Sequence, residues 1–180
     1  MTKILGLSGS LRRASFNSGL LRAAAELAPD GVEIIIGSIA GVPLYDGDDE
    51  AANGTPTAVA TLNAQLAGAD GLLLVTPEYN NGIPGTFKNA IDWMSRGDGL
   101  RLFKGKPVAV TGASPGNFGT TLAQTHWLQV LRTLNMRPWW DGRLMVSRAG
   151  DLFDADGNLT DQATRKRLAE FVAGFATSIG

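Results

Sequence analysis

The stretch Ile4-Leu5-Gly6-Leu7-Ser8-Gly9-Ser10-Leu11-Arg12-Arg13-Ala14-Ser15-Phe16-Asn17 runs from an apolar segment into a loop of hydroxyls, arginines and glycine. Ile4–Leu7 reads as a buried strand, and Leu20, Ala24, Leu27 and Ala28 then recur at helical spacing up to Pro29. Strand, long loop and helix are the opening of a βα unit. Asp30-Gly31 marks a turn and Val32–Ile36 a second strand, so the unit closes as βαβ with parallel strands.

Outward from this unit the alternation continues. A loop with Pro43 and the acidic run Asp46–Glu50 leads to Thr55-Pro56, which reads as an N-cap followed by proline at the first helical position. Val59, Leu62 and Leu66 stripe that helix, and Leu72–Val75 is a third strand bounded by Gly71 and Pro77. Phe87, Ala90, Ile91 and Met94 follow at i, i+3, i+4, i+7 after Pro84-Gly85. Lys106-Pro107 introduces a fourth strand, Val108–Val110, and Trp127, Val130, Leu131 and Leu134 mark a helix after Gly119. A fifth strand falls within Arg137–Val146, and Leu168, Phe171, Val172 and Phe175 stripe a terminal helix. Five strands alternating with five helices predict an α/β fold: a three-layer doubly wound domain on a five-stranded parallel sheet, spanning 1–180.

Composition narrows the function classes. A chain of 180 residues can bury about 70% of its unfolded surface, enough for a core without covalent staples. Lys+Arg 16 against Asp+Glu 17 leaves a net charge of −1, which argues against a nucleic-acid binder with a basic surface. With Cys 0, disulfides, cysteine-ligated metals and thiol catalysis are excluded. The N-terminal apolar run is too short for a signal peptide or membrane span, so a soluble, cytoplasmic chain without membrane insertion is expected.

In an open α/β sheet, ligands bind beyond the carboxyl ends of the strands, where the strand order reverses. The loop Ser8–Asn17 places hydroxyls, an amide, two guanidiniums and glycine-freed amides at a helix start, a setting that suits a phosphate. An ordinary capped turn would need far fewer than its ten residues. It matches neither G-x-x-x-x-G-K-[ST] nor G-x-G-x-x-G, so a P-loop and a Rossmann fingerprint are both disfavoured. The loop Thr76-Pro77-Glu78-Tyr79-Asn80-Asn81-Gly82-Ile83-Pro84-Gly85 is a stiff wall that can lie along a flat heterocycle. Gly112-Ala113-Ser114-Pro115-Gly116-Asn117-Phe118-Gly119 is again small and hydroxyl-bearing. With strand order 2-1-3-4-5, all three loops converge on one crevice.

Gly9-Ser10-Leu11-Arg12 with Ser15 and Asn17, and Pro77-Glu78-Tyr79-Asn80 with Pro84-Gly85 and Lys88-Asn89-Ala90-Asp92-Trp93, resemble the NADPH-dependent FMN reductase family, nearest its bacterial quinone and chromate reductases. The resemblance implies a flavodoxin-like fold holding FMN, with NADPH or NADH as reductant and a small-molecule electron acceptor: a quinone, azo dye, oxidised metal or free flavin. It implies that Ser10, Arg12, Ser15 and Asn17 hold the phosphate. Glu78, Tyr79, Asn80 and Asn81 would border the isoalloxazine, mainly through backbone, and Ser114 its pyrimidine side. Phe16, Pro77 and Gly116 complete the implied cofactor-binding set. It names no acid–base catalyst, because the cofactor carries the chemistry. It also implies a homodimer or homotetramer.

Other features read more plainly. His126 has no partner pattern and is taken as structural or surface. Asp154-Ala155-Asp156-Gly157-Asn158 departs from a calcium loop, with glycine too early and Arg165 where a glutamate belongs, and reads as a turn before a helix starting near Thr160. Asp46–Glu50 reads as a solvated loop, and Trp93, Trp139 and Trp140 as core or interface. Arg12, Arg13 and Arg101 are the candidates for a nicotinamide 2′-phosphate. Two competing functions remain at this level: a flavodoxin-type one-electron carrier, for which net charge −1 provides little steering field, and a regulatory domain binding a phosphorylated ligand without turnover.

Overall fold

The computed structural model describes residues Met1–Gly180. In chain order, β1 (Thr2–Ser8), α1 (Phe16–Glu26) and β2 (Val32–Gly37) form the first unit, followed by α2 (Gly47–Asn53), α3 (Thr57–Ala67) and β3 (Gly71–Val75). Then come α4 (Gly85–Met94), α5 (Leu100–Phe103), β4 (Pro107–Ala113), α6 (Thr121–Thr133), β5 (Arg137–Pro138), β6 (Met145–Val146) and α7 (Gln162–Ile179). The strands pair in parallel in the order β2-β1-β3-β4-β5, the order that brings the loops after β1, β3 and β4 side by side.

The pleat divides each central strand between two cores. Leu73 and Val75 face one core, closed by Leu20 and Leu21 of α1 and by Phe171, Val172 and Phe175 of α7. Leu72 and Leu74 face the other, filled by Val59 and Leu62 of α3, Phe87, Ile91 and Trp93 of α4, and Trp127 of α6. All five β3 residues are buried, which is why that strand reads as an unbroken apolar run.

Four expectations are corrected. The fifth strand is two pieces: β5 pairs with the Pro107–Val108 end of β4, while β6 pairs farther along with Gly112 and Ala113. Arg137 and Trp139 donate to the Lys106 and Val108 carbonyls at 3.0 and 2.9 Å, so Pro138 between them, whose nitrogen faces the open edge, is tolerated there, and the chain leaves the sheet after Trp139. Asp46–Glu50 is not an open loop: Asp46 caps the exposed helix α2, its Oδ1 accepting from the Asp48 amide at 2.9 Å. The two helix starts shift as well. Pro56, not Thr55, stands at the α3 cap, and Asp161 caps α7 by accepting from the Thr164 amide at 2.7 Å.

The Lys88–Trp93 motif has a visible task in this fold. Asn89 Nδ2 and Trp93 Nε1 both donate to the Pro43 carbonyl, at 2.7 and 3.0 Å, and Asn89 Oδ1 accepts from the Tyr45 amide at 2.9 Å. Tyr45 stacks edge-on against Trp93 and donates its hydroxyl to Glu50, which also pairs with Arg96. The segment between β2 and α2 is thereby latched onto α4. Trp93 belongs to the core; Trp139 packs on Phe171 and Phe175, and Trp140 is largely exposed. Asp154 spends its carboxylate inside its own turn, accepting from the amides of Asp156 and Asn158. No helix is long and apolar enough to cross a membrane.

Candidate functional site

The β1–α1 loop leaves the sheet through Gly9, whose amide donates to the Val75 carbonyl at 3.0 Å. A Cβ there would overlap the Phe87 ring, so the loop's close approach to α4 requires glycine. Ser15 caps α1, with its buried Oγ accepting from the Ser18 amide at 3.3 Å. The amides of Phe16 and Asn17 make no hydrogen bond within the chain, as expected for the first turn of a helix. Arg12 folds back over the Phe16 ring at 5.1 Å and donates through Nη2 to the Ala14 carbonyl at 2.7 Å, leaving its other donors free. The dipole of α1, the free amides and this guanidinium together favour an anion.

The loop after β3 is shaped by a tight turn. Tyr79 and Gly82 exchange two backbone hydrogen bonds, at 3.0 and 3.2 Å, around Asn80 and Asn81 with φ of 49° and 61°. Positive φ at both central positions is a type I′ geometry that asparagine tolerates, which accounts for the pair of asparagines. The amides of Glu78, Asn80 and Asn81 stay unpaired. Glu78 Oε2 is engaged elsewhere, accepting from the Ala123 amide in the first turn of α6 at 2.9 Å.

The loop after β4 is held by the segment that follows β6. Ser114 donates its amide to the Val146 carbonyl and accepts from the Ala149 amide, while the Gly116 carbonyl accepts from the Arg148 amide at 3.0 Å. Arg148 itself sits in the left-handed region at φ 50° and donates through Nε to Asn117 Oδ1. Ser114 Oγ accepts from the Gly116 amide at 3.1 Å.

These loops enclose one cleft of about 190 Å³. Ser10, Arg12, Ser15, Phe16 and Asn17 line it from the first loop, Pro77, Glu78 and Tyr79 from the second, and Ser114 from the third. Asn80, Asn81 and Gly116 lie outside the lining, while Ala113 and Pro115, which sequence reasoning passed over, lie within it. A larger cavity of about 270 Å³ opens on the far side of β4, among Val110, Leu128, Trp139 and Trp140. It takes nothing from the three loops, whose hydroxyls, free amides and guanidinium are gathered at the smaller cleft instead. His126 is exposed on α6, with its ring close to Gly82 of the turn.

The model of the NADPH-dependent FMN reductase family matches residues 2–151. The chain belongs to this family. Over 168 residues it is 45% identical to an NAD(P)H-dependent FMN reductase of Pseudomonas aeruginosa, covering 93% of this chain and 90% of that one. It is 40% identical over 174 residues to a 2-hydroxy-1,4-benzoquinone reductase from a Burkholderia species, covering 97% and 94%. The solved flavoenzyme NAD(P)H:(acceptor) oxidoreductase FerB of Paracoccus denitrificans superposes with a TM-score of 0.87 at 35% identity, covering 99% and 97%. The fold is therefore flavodoxin-like, and the chain is a flavin-dependent oxidoreductase with FMN as cofactor and a reduced nicotinamide nucleotide as electron source. A one-electron carrier without its own NAD(P)H oxidation is not favoured. The cleft fits the cofactor: a helix start with free amides and a guanidinium suits the phosphate, and a rigid wall of unpaired amides suits a flat ring with polar edges.

Proposed function

We propose that FMN lies in the cleft shared by the loops after β1, β3 and β4, and that the chain passes electrons from NAD(P)H to quinones. Residues 1–180 act as one cofactor-binding unit. The Phe16 and Asn17 amides, the Ser10 and Ser15 hydroxyls and the Arg12 guanidinium hold the phosphate. The amides of Glu78, Asn80 and Asn81 border the isoalloxazine, and Ser114 closes its pyrimidine side. FMN held there would supply the two-electron chemistry, hydride from the reduced nicotinamide in and two electrons out to the acceptor. The chain's own residues supply binding and orientation. The observation that carries this reading is the convergence of the α1 start, Arg12 and the Pro77–Tyr79 segment on one cleft.

The relative named as a benzoquinone reductase supports quinones as acceptors. An open cleft also admits azo dyes, oxidised metal species such as chromate, and free flavin. Exposed Leu44, Phe118 and Trp140 support a homodimer or homotetramer, and dependence on reduced nicotinamide nucleotides supports a cytoplasmic setting. The test is anaerobic addition of NADPH, then of benzoquinone, to the FMN-loaded protein. Bleaching of the flavin absorbance by NADPH and its return with quinone are expected. An absorbance that neither NADPH nor NADH bleaches overturns the proposal.

A further inference from the structure

Asn17 is only 4% exposed, and its carboxamide does not point free into the cleft. Its Nδ2 donates to the Ala113 carbonyl at 2.8 Å, and its Oδ1 accepts from the Ala113 amide at 2.8 Å. One side chain thus satisfies both backbone groups of a residue 96 positions away. A carboxamide imitates a peptide group, with a donor and an acceptor side by side, and the pairing amounts to a single rung of sheet. Ala113 ends β4 and directly precedes Ser114, while Asn17 lies in the first turn of α1 beside Ser15.

Resting on the reading of this cleft as the FMN site, we propose that Asn17 is a positioning residue. Its carboxamide is a strut that fixes the distance between the phosphate loop and the Ser114 loop. The phosphate is left to the amides, hydroxyls and Arg12. A strut of this kind preorganises the cleft for the whole cofactor, because both walls are set before any ligand arrives. A direct phosphate ligand would serve only the phosphate.

Riboflavin carries the same ring without the phosphate and separates the two roles. Asn17→Ala should weaken FMN and riboflavin alike, by about tenfold to a hundredfold, equivalent to about 1.4–2.8 kcal/mol at 1.4 kcal/mol per decade. Asn17→Asp keeps the shape and the acceptor but sets a carboxylate oxygen against the Ala113 carbonyl. Protonation restores the donor. Riboflavin affinity of Asn17→Asp should therefore climb toward the wild-type value as pH falls from about 8 to about 5, while that of the wild type changes little. The charged groups lining the cleft are Arg12 and Glu78, and both are present unchanged in the parallel wild-type series against which Asn17→Asp is compared.

Affinities are read by flavin fluorescence on apoprotein, at a temperature below each variant's unfolding transition. A residue that merely stabilised the fold would lower that transition without the acid recovery. Loss confined to FMN, no loss for either ligand, or a pH-independent Asn17→Asp would each overturn the strut. If Asn17→Ala does not fold, the Asn17→Asp series decides alone. Wild-type protein that binds neither FMN nor riboflavin would instead overturn the cofactor reading.

Discussion

Glu78 caps a helix to which it does not belong: its Oε2 accepts from the Ala123 amide at 2.9 Å, in the first turn of α6. Thr120, at the cap position itself, makes no side-chain capping bond. The loop after β3 is thereby tied to the start of α6.

Replacing this cap makes a graded prediction. Glu78→Ala should destabilise the protein by about 1 kcal/mol, the usual cost of a lost helix cap. Glu78→Gln, which keeps an acceptor oxygen, should cost less. Thermal unfolding of the two variants measures the difference. Equal transitions for both variants and the wild type would show that the contact contributes nothing.

Beneath the site, Gly112 packs on the Thr76 carbonyl so closely that a Cβ would overlap it. Gly112→Ala must push β3 and β4 apart just below the cleft. A loss of about 1–3 kcal/mol is expected from overpacking. At roughly 2–4 °C per kcal/mol, thermal unfolding resolves it. FMN affinity should fall with it, because the loops after both strands move.

The latch on α4 is pH-sensitive in a defined direction. The Tyr45 hydroxyl, and then Arg96, hold the Glu50 carboxyl below its usual range, while the same hydrogen bond to Glu50 raises Tyr45. A depressed acid contributes stability above its unfolded pKa of about 4.3 and loses that contribution as pH falls through its folded value. Protection of the Tyr45 amide against hydrogen exchange, where it bonds Asn89, should therefore weaken selectively below about pH 4.3. In Glu50→Gln this acid sensitivity should disappear. Unaltered acid sensitivity in that variant would show that another group controls the segment.

Donor and acceptor are expected to use one slot above the ring, so steady-state kinetics should be ping-pong. Parallel double-reciprocal lines with NADPH and a quinone are the expected pattern. Intersecting lines would mean that both substrates are bound together.

The parts of the molecule legible in the sequence were those governed by local periodicity. Leu72–Val75 and the Phe87–Met94 stripe announce their elements because each buries a continuous face. The three ligand loops stood out by length and by residues an ordinary turn does not need. Short, irregular pieces were not legible: β5 and β6 hold two residues each, with no period to detect. Helix α2 buries no residue and so has no stripe to announce it. Contacts between distant segments were hidden altogether. Asn17 to Ala113 and Asn89 to Pro43 join residues whose proximity only the folded chain creates, so neither asparagine's partner was visible in the sequence.

On the proposed reading, the start of α1 and Arg12 receive the FMN phosphate in this cleft. The most direct measurement compares FMN with riboflavin on wild-type and Arg12→Ala apoprotein. A charge-assisted hydrogen bond contributes about 1.5–3 kcal/mol. Arg12→Ala should accordingly lose about tenfold to a hundredfold in FMN affinity while riboflavin binding stays unchanged. Unchanged FMN affinity, or equal losses for the two ligands, would contradict the account.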